Sequence, residues 1–340
     1  MSVPAVSVVL PVHNGEPHIA DAVRSILAQS FTDFELVICD DGSDDGTTEI
    51  VQRLAAEDKR IRVARRPVKS GVAAAGNWAV SEAAAALVAI AHADDLSHPD
   101  RLARQVAIMR DNPDCVLTGA PAEAIDWRGE QAHPVDLWRL LRPGVFAPLA
   151  HSSAMFRRAA FNAAGGYRSA ADYWEDLDLY WRMARLGRIL VSVRPVSTYR
   201  HSRTSIRTRD DTLKVERSLE AMYRSAQAVK AGADFCPTGK VPLDTRLHPR
   251  VFVARSWSRV WAGERALALP QLLRRGRLGF NWASVESLAF VGWASVSPKS
   301  LRGTLRLLTR WRNRSARKQL GGAEVIAWQP LRGAPVDERG

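Results

Sequence analysis

Leu87-Val-Ala-Ile-Ala-His-Ala-Asp-Asp95 is an apolar run that stops abruptly at two adjacent carboxylates. Val88 and Ile90 in an unbroken apolar stretch read as a strand buried on both faces, which puts Asp94 and Asp95 at its carboxyl end. Open α/β sheets hold their ligands at that edge. Two neighbouring carboxylates repel each other, and a bound divalent cation carrying substrate phosphates keeps both ionised at least cost. Alone, the run reads more readily as an acidic turn before a helix at Pro99, so the surrounding chain decides.

Upstream, Val6–Val12 is a first strand whose pairing Pro11 ends, and His18–Gln29 repeats apolar positions at helical spacing. Phe34–Cys39 is a second strand that runs directly into Asp40-Asp-Gly-Ser-Asp-Asp-Gly-Thr47. Thr48–Ala55 has helical spacing, Ile61–Ala64 is a short strand, and Ala73–Ala86 is an alanine-rich helix. With the Leu87 strand this alternation predicts a parallel sheet with helices on its faces, one α/β nucleotide-binding half over about residues 1–115. Downstream, Pro99–Arg110 reads as a helix capped by Ser97, Cys115–Gly119 as a strand, and 121–150 as irregular, carrying Trp127 and Trp138. His151–Phe156 regains strand character, Leu177–Leu186 is helical, and Ile189–Val193 is the last clear strand. These form a second half over about 116–205.

The net charge of +12 is unevenly placed: residues 1–200 hold 22 Lys and Arg against 25 Asp and Glu, so the rest of the chain carries +15. Such asymmetry calls for an anionic partner for the last third alone. Residues 206–330 read as a mainly helical basic region and 331–340 as a tail. Cys39, Cys115 and Cys236 fit neither a disulfide framework nor a zinc set, which points to a reducing cytosol. No apolar run reaches the roughly 18 residues of a spanning helix.

Three constellations carry chemistry. Asp40, Asp41, Asp44 and Asp45, interleaved with Gly42 and Gly46, could bind a nucleobase imide N–H, or could be turn chemistry with a helix cap. Glu175 and Asp176 at a helix start beside Tyr173 and Trp174 suit a general base, although acidic residues favour helix N-termini on electrostatic grounds alone. His201, on a loop after a strand, is a candidate metal or phosphate ligand unless it is merely solvated.

Together these stretches resemble the family 2 glycosyltransferases of GT-A fold over about residues 5–205. Ser7-Val-Val-Leu-Pro-Val-His-Asn-Gly15 is similar to that family's nucleotide loop, and Phe34–Thr47 contains its Asp-Asp-Gly-Ser element. His92-Ala-Asp-Asp95 stands at the Asp-x-Asp metal signature, Glu175-Asp176 at the Glu-Asp motif, and His151-Ser152 and Tyr199-Arg-His201 at the later acceptor-side and histidine elements. The resemblance implies a Rossmann-like domain with a mostly parallel sheet and inverting transfer of a sugar from a nucleotide-sugar donor, expected to be UDP-linked, to a saccharide or lipid-linked acceptor. It implies donor contacts at Pro11, Val12, Asn14, Asp40, Asp41, Gly71, Asn77, His92 and Asp94, and an Mn²⁺ or Mg²⁺ ion on Asp94, with Asp95 and His201 as further candidates. Asp176, beside Glu175, is the implied base. Two positions depart from the pattern: His92 replaces the first aspartate of the signature, and Gly76 replaces the arginine of Gly-x-x-x-Ala-Arg-Asn. Arg65, Arg66 or Lys69 could supply the missing phosphate contact.

Two other classes compete. The departures at His92 and Gly76 suit a binding-only relic. A sequence pI near 10.2 suits a nucleic-acid binder, but no recognition module is present and no nucleic-acid partner is expected. The basic excess is instead assigned to an anionic membrane surface: a helix near Leu301–Trp311 would set Leu301, Leu305 and Leu308 beside Arg302, Arg306 and Arg310, on the inner face of the cell membrane. The plain alternative packs those leucines on the catalytic domain. Sedimentation with anionic vesicles at low and high salt separates the two.

Overall fold

The computed structural model describes residues 3–125, 129, 149–171, 174–201 and 323–328. Trp127, Trp138, Tyr173, Cys236, the Leu301–Trp311 helix and the tail lie outside the described residues. So does nearly all of the helical region expected over 206–330.

In chain order the elements are β1 (Val6–Val12), α1 (Ile19–Leu27), β2 (Phe34–Asp41), α2 (Thr47–Glu57), β3 (Ile61–Arg66), α3 (Val72–Ser81) and β4 (Leu87–Ile90). There follow β5 (Leu96–Ser97), α4 (Arg101–Asp111), β6 (Cys115–Gly119), β7 (Glu123–Ile125), β8 (Met155–Arg157), α5 (Arg158–Ala163), α6 (Glu175–Met183), β9 (Arg188–Ser192), β10 (Ser197–Arg200) and β11 (Val325–Trp328). The main sheet runs β11-β9-β6-β8-β4-β1-β2-β3, and β5-β10-β7 form a small second sheet.

Alternation along the central strands divides the core between two faces. Val8, Leu10, Leu36 and Ile38 pack with Ile19, Val23, Val51, Leu102 and Met109 of α1, α2 and α4. Val9, Val37, Cys39, Val88 and Ile90 face the other way, against Ala79 and Val80 of α3, Phe161 of α5 and Leu179 of α6. Strands β3, β2, β1 and β4 are mutually parallel, as the alternation predicts. Beyond them the sheet is mixed, because β8 runs antiparallel to β4 and to β6, and β11 antiparallel to β9.

Several boundaries differ from expectation for local reasons. The Leu87 strand ends at Ile90, so the carboxylates lie in a turn beyond it. α3 ends at Ser81: Glu82 and Ala83 N–H still bond back to Trp78 and Val80, but Ala84 N–H turns to Glu35 and Ala85 N–H to Ser7 Oγ. His151–Ser153 is a single tight turn instead of strand, closed by the Ser153 hydroxyl on the carbonyls of Ala120 and Ala150. α4 begins after Asp100, and Ser97, expected as its cap, instead accepts from the Arg101 guanidinium at 3.1 Å. Val325–Trp328 is a strand within the segment expected to be helical. It pairs with β9 and buries Trp328 edge-on to Trp181, with ring centroids 6.4 Å apart.

Candidate active site

The register of β1 on β2 sets Pro11 beside Cys39 and Val12 beside Asp40, so both strands deliver their last residues to one edge. The two loops that follow are tied together. Asn14, the one described non-glycine residue with positive φ (57°), donates from Nδ2 to Asp44 at 2.6 Å and accepts the Asp44 N–H at 3.0 Å. Gly15 N–H reaches Thr47 Oγ1 at 2.8 Å, and Glu16 exchanges bonds with Asp45 and Gly46. Asp40 is fully buried and closes its own turn, accepting from Ser43 N–H at 2.9 Å and Thr48 Oγ1 at 2.5 Å, with Arg65 Nε 3.4 Å away. Its side chain is thereby a scaffold for the loop. Asp41 is also buried and accepts both the N–H and the hydroxyl of Ser70, at 2.9 and 2.7 Å, which draws the segment before α3 against the end of β2. Gly42 (φ 72°) lets that segment approach: a Cβ there would lie 2.8 Å from Lys69 N. Gly71 (φ 97°) then turns the chain into α3. Of the arginines considered for a phosphate contact, Arg65 is held by Asp40 and Arg66 lies 4.3 Å over Trp78.

At the end of β4, His92, Asp94 and Asp95 present one nitrogen and two carboxylate oxygens within 4.8 Å of one another. Hard oxygen donors with one imidazole suit Mn²⁺ or Mg²⁺. Asp95 is buried, and burial, reinforced by the Asp94 carboxylate, pushes its pKa up to about 7. A bound cation would supply the charge compensation that this pair needs. Below it Arg101 is 1% exposed, donating to the Ile90 carbonyl at 2.6 Å and to Gln105 at 3.1 Å, and burial lowers its pKa to about 10. From the second sheet, Arg200 N–H donates to Asp95 Oδ1 at 3.1 Å and its Nε to the Asp94 carbonyl at 3.3 Å. His18, just before α1, has its pKa lowered by burial and by Arg200, while Asp94 opposes the shift, so it too faces this corner. His201 is not part of that group: its backbone N–H donates to the Ile125 carbonyl at 2.9 Å, and its ring stands edge-on to Tyr199 at 5.0 Å.

Glu175 and Asp176 open α6, with Asp176 Oδ1 accepting the Leu177 N–H at 2.8 Å. Their carboxylates raise the pKa of Tyr167 and Tyr180 further above what burial alone does, which places both hydroxyls in the same acidic field. Asp178 is fully buried between Arg168 and Arg182, and Arg182 donates on to the Gly166 carbonyl at 2.7 Å. Asn77 is not at the nucleotide loops. Both ends of its amide are committed to the Tyr167 backbone at 2.8 Å.

The expected residues thus fall into three groups: the interlocked loops with Pro11, Val12, Asn14, Asp40, Asp41 and Gly71, the corner with His92, Asp94 and Asp95, and the helix start with Glu175 and Asp176. His18, Arg101, Tyr167, Asp178 and Arg200 were not legible as site residues. A buried arginine in a helix and a tyrosine after two glycines carry no local signal of what they touch.

Residues 7–164 match the family model described as Glycosyl transferase family 2. The "Putative glycosyltransferase EpsE" of Bacillus subtilis (strain 168) is 34% identical over 190 residues, which is 54% of this chain and 68% of that protein. The same organism's "Putative teichuronic acid biosynthesis glycosyltransferase TuaG" is 40% identical over 106 residues, 31% of this chain and 42% of that one. Among solved structures, the mannosyltransferase PcManGT from Pyrobaculum calidifontis, in complex with GDP-Man and Mn²⁺, superposes with a TM-score of 0.52 at 19% identity, covering 94% of this chain and 88% of that one. S. aureus TarS 1-349 in complex with UDP gives 0.50 at 16% identity, covering 85% and 90%. These two share the fold.

Proposed function

The chain belongs to glycosyl transferase family 2, and from that premise we propose that it transfers a sugar from a UDP-linked donor to a saccharide or lipid-linked acceptor, with inversion, in polysaccharide or glycoconjugate synthesis. That it is a nucleotide-sugar-dependent glycosyltransferase follows from the family. The nucleotide, the inversion, the cation and the acceptor are our inferences.

The observation that carries them is the His92, Asp94 and Asp95 group at the end of β4, beside the loops that Asp40 and Asp41 hold closed. Val12 and Asp41 are assigned to the nucleobase. Asp41 uses two of roughly four lone-pair directions on Ser70, so it can still accept an imide N–H. Asp94, with its carboxyl neighbour, would hold Mn²⁺ or Mg²⁺, which supplies neutralisation of the charge on the departing diphosphate. Asp176 is assigned as the base that takes the acceptor hydroxyl proton, because it is more exposed than the buried Glu175 and shares the acidic field at Tyr167. A single displacement from the face opposite the diphosphate inverts the anomeric centre. The name of TuaG, a relative in teichuronic acid biosynthesis, supports a polysaccharide acceptor.

Transfer from a panel of nucleotide sugars, followed by the anomeric configuration of the product, tests this. Asp176→Asn keeps shape and removes proton acceptance, so the rate should fall by about 10² to 10⁴ while donor affinity is retained. A greater loss in Glu175→Gln would reverse the two roles, and a retained anomer would remove the single displacement.

A further inference from the structure

Among the described residues, β11 is the only element that follows His201, and it forms one edge of the main sheet. Val325–Trp328 pairs antiparallel with β9, Trp328 opposite Ile189 and Ile326 opposite Val191. Alternation therefore puts Ile326 and Trp328 on the sheet face where Ile189 and Val191 pack with α6, while Val325 belongs to the other face. On that face Trp181 of α6 meets Trp328 edge-on, with ring centroids 6.4 Å apart, and both rings are buried. Without β11, β9 would be the edge and the Trp181 ring would lose its cover.

α6 has nine residues, too few for a helix to hold itself, so its placement is set by what it packs against. Two anchors do this. Asp178 is locked by Arg168 and Arg182, and Trp181, further along, rests on Trp328. Trp328 Nε1 is buried with no hydrogen-bond partner among the described residues, so the position uses the size of the indole and not its N–H. Asp176 lies in the first turn of the same helix. A roll of about 10° moves a carboxylate about 6 Å from the helix axis by about 1 Å, and a 1 Å misplacement can cost about 10²-fold in rate. We propose that Trp328 is a positioning residue for Asp176: by closing the sheet edge under Trp181, it fixes the roll of α6 and with it the direction of the Asp176 carboxylate. The proposal rests on the reading of Asp176 as the base. It gives the strand after residue 322 a part in turnover without contact to the reacting atoms.

Steady-state kinetics and UDP titration of full-length Trp328→Ala test it. kcat should fall by about tenfold to 10²-fold, while KM for the donor and affinity for UDP stay unchanged, because β11 touches neither the loops after β1 and β2 nor the corner after β4. Trp328→Phe keeps a ring against Trp181 and should restore most of kcat. Trp328→Leu keeps apolar volume without the ring, and should show the same split as Trp328→Ala if that variant fails to fold. In an Asp176→Asn background, Trp328→Ala should slow turnover no further, since both changes act through one carboxylate. An unchanged kcat, a parallel loss of UDP affinity, or losses that multiply in the double variant overturns the proposal. Hydrogen exchange supplies a readout without turnover: amides of residues 179–183 should exchange faster in Trp328→Ala, and those of β1 and β2 as before. Asp176→Asn turning over as fast as the wild type removes the base assignment, whereas unchanged α6 exchange in Trp328→Ala removes the role of Trp328, so the two failures are read separately.

Discussion

Asp95 shows how a single carboxyl sets the conditions under which the site is stable. It is 5% exposed, and burial, followed by the neighbouring Asp94 charge, raises its pKa to about 7, against about 3.9 in an unfolded chain. Between those values the native protein holds a proton that the unfolded chain has released. Stability from this group is therefore full below about pH 4 and is lost as pH rises toward 7. Urea midpoints at pH 5 and pH 8 in EDTA should fall more steeply for the wild type than for Asp95→Asn, which does not titrate. Mn²⁺ should restore the wild-type midpoint at pH 8. Parallel profiles for the two proteins would contradict the assignment. Burial and the adjacent His92 lower the pKa of His151 well below the usual imidazole value.

At the level of elements, the placement of Glu175 and Asp176 depends on how α6 is fastened. Asp178 accepts from Arg168 Nε at 2.9 Å and Arg182 Nε at 3.1 Å, and Arg182 extends the lock to the turn that carries Tyr167. Asp178→Ala leaves two guanidinium groups around an empty buried site, and a loss of about 3 to 5 kcal/mol is expected in urea unfolding. A loss under about 1 kcal/mol would put this cluster among ordinary surface pairs. The elements that the sequence exposes are those set by local periodicity: β1, β2, β4, α1 and the acidic start of α6. Those it hides are set by distant partners. β5 and β10 are too short to show alternation and exist because they pair with each other and with β7. The end of α3 is decided by Glu35 and Ser7, residues far away in sequence. Likewise Asp40, Asp41, His92 and Asp94 were legible because their motifs are contiguous. Tyr167 was not, because nothing local in the sequence shows that its ring packs on Gly76 and that its hydroxyl meets His151.

Across the whole molecule, the described residues reach His201, one residue past the Arg200 contacts to Asp94 and Asp95, and take up again before β11, which pairs with β9. Val193 N–H bonds the Glu324 carbonyl at 2.9 Å just before β11 pairs with β9. β10 lies in the second sheet and β11 in the main one, so the described residues on either side of 202–322 both belong to the sheet framework. No helix among the described residues is long and apolar enough to cross a membrane. The corner after β4, proposed here as the cation-dependent seat of a nucleotide, is open to one direct test. Calorimetric titration of UDP into wild type and Asp94→Ala, each with Mn²⁺ and with EDTA, should show wild-type binding that EDTA weakens by about tenfold or more, and Asp94→Ala binding that is weak and indifferent to Mn²⁺. Asp94→Ala binding UDP in Mn²⁺ as tightly as the wild type would contradict it.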